Sequence, residues 1–146
     1  MGVLTDIVIA GRDDAQKVGE ADVPSHEFPG IDAKGINQVH MGTLYAILTR
    51  SDYDPRFMTT HESFVYSASQ DGPWVQLIPD DMVARLAKTS DAEIPLIADE
   101  WGKTEEFDPE YSRWTKEDIV TFLRQLTSLS RKAQGENKSV FMWSCL

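Results

Sequence analysis

His61 and Glu62 stand side by side, and a second acidic pair, Glu105 and Glu106, follows between Trp101 and Phe107. An imidazole beside a carboxylate is the usual equipment for moving a proton. Carboxylates crowded against aromatic surface can have raised pKa values, or can ligate a hard cation. These four residues are therefore the candidates for catalysis. The spacing limits what they can do. His61-Glu62 opens like the zinc-protease pattern H-E-x-x-H, but Val65 occupies the second histidine position. Glu105 and Glu106 are adjacent, so on a helix or a strand they point in different directions and do not both face one small substrate. The bland reading of this segment is that Trp101, Phe107 and Trp114 anchor helix ends while the carboxylates stay in water.

Other chemistries are excluded by pattern. Neither G-x-G-x-x-G nor G-x-x-x-x-G-K-[ST] occurs, nor does the hydrolase elbow G-x-S-x-G. Cys145 is the only cysteine, so an intrachain disulfide or a multi-cysteine metal site cannot form. No cofactor is implied, and no residue set is assigned to a metal. His26, His40 and His61 lie in different segments. His40, four residues after Ile36 and four before Leu44, falls on the core side of a helix and reads as a structurally satisfied histidine.

Aromatic residues next to arginine suggest binding instead, because Trp, Tyr and Arg are the common energetic anchors of interfaces. Tyr53, Arg56 and Phe57 form one such group in an expected loop. Trp101, Tyr111, Arg113 and Trp114 form another.

The elements that must position these residues are legible to different degrees. Val3–Ala10, with Ile7-Val8-Ile9, reads as a strand, and residues 11–35, with two prolines and four glycines, read mostly as loop with a helical turn at Asp13-Asp14. Ile36, Val39, Leu44, Ile47 and Leu48 recur at helical spacing, although Gly42-Thr43 leaves Leu44–Leu48 open to a strand reading. Phe64–Tyr66 and Trp74–Ile78, separated by Asp71-Gly72-Pro73, read as paired strands. Pro79 opens a short helix ending by Thr89. Ser90 and Glu93 form a capping box, but Pro95 requires the next helix to start later or to kink. From Thr115, Ile119, Phe122, Leu123, Leu126, Leu129 and Ala133 trace one face of a long helix, with Gly135 as its expected cap. Residues 139–146 read as a last, buried strand. Strands early, helices after and one final strand give an α+β class: a small mixed or antiparallel sheet with helices packed on one face.

The whole chain, 146 residues, reads as a single globular domain long enough to fold without a staple. Its formal charge is −10, which makes nucleic acid and anionic membrane poor partners. Residues 51–100 carry −7 of that charge. No 20-residue apolar stretch and no basic leader is present, Asp6 breaks the myristoylation pattern after Gly2, and a lone thiol suits a reducing compartment. The expectation is a cytoplasmic, non-enzymatic interaction domain whose partner is a protein presenting a basic surface; a homodimer through the last strand or a helix face is compatible with it. The alternative from another class is a small hydrolase or metal-dependent enzyme built on His61 with Glu62, Glu105 or Glu106.

Overall fold

The β-branched run of the first strand has apolar residues on both sides, so both faces of any sheet it joins have to be covered. The computed structural model describes residues 4–60 and 62–146 and shows how this is done. Strands β1 (Leu4–Ala10), β2 (Gly30–Asp32), β3 (Phe64–Ser67), β4 (Trp74–Leu77) and β5 (Ser139–Cys145) form one sheet in the order β2-β1-β5-β4-β3. Every neighbouring pair is antiparallel. The last strand therefore lies in the centre, paired with β1 from Leu4↔Cys145 to Ala10↔Ser139 and with β4 on its other edge.

The fold is α+β. Helices α3 (Gln38–Thr49), α4 (Asp80–Lys88), α5 (Ile94–Gly102) and α6 (Lys116–Gly135) share one core with Ile7, Ile9, Val140 and Met142. The alternating residues Val8, Ala10, Phe141 and Trp143 face the other way. They are covered by the short helix α1 (Ala15–Glu20), through Ala15 and Val18, with Phe28 and Tyr66 at the margin. On this second side buried Asp6 accepts a hydrogen bond from the Ser25 amide (2.9 Å), satisfying a free donor in the first turn of α2 (Pro24–Glu27). Residues 11–35 thus hold more structure than their prolines and glycines suggest. Both helices in this stretch are too short to persist alone and exist because the sheet needs a cover there.

The local signals elsewhere act as expected. Thr115 caps α6 by accepting from the Asp118 amide at 3.1 Å, and the Asp118 carboxylate in turn accepts from the Thr115 amide at 2.9 Å. Helix α5 begins at Ile94, with Pro95 in its first turn, so the Ser90–Glu93 box closes a turn ahead of the helix. Leu44–Leu48 is helical. One cap differs: Gly135 is the last helical residue of α6, and Asn137 supplies the left-handed conformation (φ 55°) after it. Asparagine tolerates that region because its short polar side chain bonds locally. Among the described residues no helix is long and apolar enough to cross a membrane.

Candidate functional site

Four of the sequence candidates, Glu106, Tyr111, Arg113 and Trp114, border one cleft beside the N-terminal end of α3. Asn37 accepts from the amides of Val39 (2.8 Å) and His40 (3.2 Å), and the Asn37 amide donates back to Nδ1 of His40 at 3.1 Å. This is a capping box with histidine in place of the usual glutamate. With Nδ1 accepting from the Asn37 amide, Nε2 carries the proton and faces the Glu106 carbonyl at 3.3 Å; Nδ1 also lies 3.0 Å from Asn37 Oδ1, the contact that the other tautomer would use. Burial holds the His40 pKa below its ordinary 6.5, against the opposing pull of the Glu106 carbonyl and charge. His40 is thus committed to structure, with both ring nitrogens engaged.

Around it an aromatic cluster fixes the loop that follows α5. Trp101 is completely buried and donates its indole N–H to the His40 carbonyl at 2.9 Å. Phe107 packs edge-on against both His40 and Trp101, with ring centres 4.7 and 5.0 Å apart, and Trp114 stands edge-on to Phe122 at 5.4 Å. These contacts hold the short 3-10 turn Glu105–Phe107 and the loop to Thr115 against the end of α3. Gly35 (φ 95°) completes the wall. A Cβ there would lie 2.9 Å from the Trp114 indole nitrogen, so both the backbone conformation and the close approach require glycine.

The result is a cleft of about 560 Å³ bordered by Lys34, His40, Glu106, Tyr111, Arg113 and Trp114. Glu106 is half-buried, and its Oε2 is buried with no hydrogen-bond partner among the described residues. A buried oxygen left without a donor costs about 1–3 kcal/mol. Tyr111 beside it is 80% exposed. Lys34 and Arg113 are exposed at the rim.

The remaining candidates are placed as follows. Glu105 points to solvent while Glu106 turns inward, as their adjacency requires. Trp101 serves the core and offers nothing to a partner. Phe57 stacks on Tyr45 at 4.8 Å, Tyr53 lies against α3 at Gly42, and exposed Arg56 bonds Asp54 in its own loop. Glu62 is exposed, and His61 lies outside the described residues. The only histidine that the described structure brings to Glu106 is His40, buried on the core side of α3 as its spacing predicts; the sequence signal for its cap is Asn37-x-x-His40 ahead of an apolar run. Among the described residues no group of three His, Cys, Asp or Glu side chains is placed to hold a metal ion. No family model, curated protein or solved structure matches the chain.

Proposed function

We propose that the chain is a binding domain that receives a basic protein surface on the loop 104–114, with an arginine or lysine head group of the partner meeting Glu106. The observation that carries this reading is the buried, unpartnered Oε2 of Glu106 in a cleft flanked by the exposed ring of Tyr111. A guanidinium or ammonium group supplies the missing donor as a charge-assisted bond and lies against aromatic surface while doing so. The surroundings favour the same sign. Residues 99–118 contain eight carboxylates against three cations. Lys34 and Arg113 oppose it, but their exposed charges are screened by solvent and salt, whereas a buried oxygen is not. With one free cysteine, half-buried, the reducing cytoplasm suits the chain.

The test uses the isotope-labelled protein titrated with N-acetyl-arginine methylamide, read at the Glu106 amide and the Trp114 indole N–H. Saturable shifts at both, weakened by Glu106→Gln, are expected. Shifts that are absent, or that persist unchanged in Glu106→Gln, overturn the reading.

A further inference from the structure

A second cavity, of about 360 Å³, lies on the helix-bearing side of the sheet, where the start of α3 leaves it open. Two cross-strand rows form its floor. Thr5, Ser144 and Trp74 make one row, since Ser144 pairs with both of the others, and Met142, Gln76 and Phe64 make the next. Asn37, Gln38 and Val39 form the wall on the α3 side.

Its chemistry is unlike the rest of the molecule. More than a quarter of the chain is Asp, Glu, Lys or Arg, yet among the described residues no ionisable side chain borders this cavity. Apolar surface comes from Phe64, Trp74, Met142 and Val39. The polar groups are neutral, and two of them, Thr5 (2% exposed) and Gln76 (3% exposed), are buried.

Gln76 is the telling residue. Its amide nitrogen donates to the Met58 carbonyl at 2.8 Å and to Gln38 Oε1 at 3.2 Å. Met58 presents that carbonyl from the left-handed region (φ 57°), which a non-glycine residue occupies at a cost of about 1–2 kcal/mol. Both amide protons are thereby spent, while Oε1 takes no hydrogen bond from the described residues and is not a sealed, unpartnered atom, so it stays open to an incoming donor. A methionine would fill the same volume with no polar group to satisfy. An amide held this firmly in an apolar floor makes sense when something brings it a donor.

We infer that this cavity binds a small, flat, uncharged molecule carrying an N–H or O–H group, which donates to Gln76 Oε1 while its ring lies between Trp74 and Phe64. The volume matches about a dozen water-sized groups at about 30 Å³ each, the size of a single or fused ring system. It also falls within the usual range of ligand pockets, about 300–1,000 Å³. A charged molecule is disfavoured, because nothing in the lining would repay its desolvation.

Indole is a suitable probe: flat, neutral and provided with one N–H. Titrating it into the isotope-labelled full chain is expected to give saturable shifts at the Gln76 side-chain amide and the Met142 methyl. 1-Methylindole, which lacks the donor, is expected to bind about threefold to tenfold more weakly, the worth of one hydrogen bond. Indole-3-acetate is expected to bind more weakly than indole. Ser144→Leu, which fills the floor from a half-buried strand position, abolishes the shifts. Should that variant fail to fold, Phe64→Ala on the edge strand β3 removes one wall and weakens indole binding instead. The inference is overturned by unsaturable or scattered shifts, by equal binding of indole and 1-methylindole, or by undiminished binding in the folded variants. Asn37 and Val39 line both this cavity and the Glu106 cleft, so the two are told apart by their probes and by reporters that they do not share, Gln76 and Met142 here against Glu106 and Trp114 there.

Discussion

At the scale of single residues, His40 links the helix cap to the cleft, and its titration can be followed through stability. Its pKa is lowered in the fold, mainly by desolvation. Above pH 6.5 both folded and unfolded chains hold it neutral and it contributes no pH dependence. Below 6.5 the unfolded chain takes up a proton that the fold resists, so stability falls as the pH drops through this range. Asp54, Glu93, Asp99 and Glu136 have pKa values lowered by their hydrogen bonds and ion pairs. What these four contribute is lost only as the pH falls below their ordinary values of 3.8 to 4.5. The two windows are separate. Thermal melts between pH 7.5 and 5.5 should therefore show a falling Tm in the native sequence. His40→Gln, which keeps an acceptor for the Asn37 amide without a titrating ring, should flatten that fall. An identical slope in the variant would mean that some other group is responsible. His40 also shows where reading by residue type stops: Asn37-x-x-His40 marks a cap, but only the packing of Trp101 and Phe107 says that Glu106 turns in toward it.

Elements were legible in proportion to how much of their stability is local. The face of α6 repeats over five turns and starts at a hydroxyl cap, so periodicity alone defines it. The β-branched and aromatic runs of β1 and β5 do the same for the sheet centre. Helices α1 and α2 carry too little local signal, because six- and four-residue helices derive their stability from what they cover. The contact that fixes α1 is visible only in three dimensions. A Cβ on Gly19 would fall 1.9 Å from Tyr66 Cδ1, so the helix backbone rests directly on the ring. In an exposed helix, alanine for glycine gains up to about 1 kcal/mol. Here overpacking opposes it, typically by about 1–3 kcal/mol, because the Cβ would meet the body of the ring, Cγ included, and not the far end of a flexible side chain. Gly19→Ala should therefore lower the urea midpoint, with the largest chemical-shift changes at Val18, Tyr66 and Val75. A raised midpoint would show that Tyr66 swings away freely and that α1 is only loosely seated.

For the molecule as a whole, the question is whether its charge acts as a diffuse field or as a local surface. The formal charge of −10 attracts any basic partner over long range, wherever that partner finally docks. Some carboxylates are already committed. Asp80 takes Arg12 at 2.7 Å, and Asp81 accepts the Tyr45 hydroxyl. Others are uncommitted at the cleft: Glu105, Asp108 and Glu110 are exposed, close in sequence to Glu106 and Tyr111, and form no ion pair among the described residues. Glu20, Asp22 and Glu27 are also exposed, in or beside the short helices on the opposite side of the sheet. Converting either trio to lysine takes the formal charge from −10 to −4, two units for each residue. The two variants have the same net charge and differ only in where it changes. If the loop 104–114 is the docking surface, the first trio should slow association with an arginine-rich peptide by about tenfold or more at low salt, within the known range of electrostatic steering. The second trio should slow it only modestly, and raising the salt should bring both rates toward the native value at equal ionic strength. Equal slowing by the two trios would show that net charge alone draws the peptide in, and would remove the electrostatic support for a docking site beside Glu106.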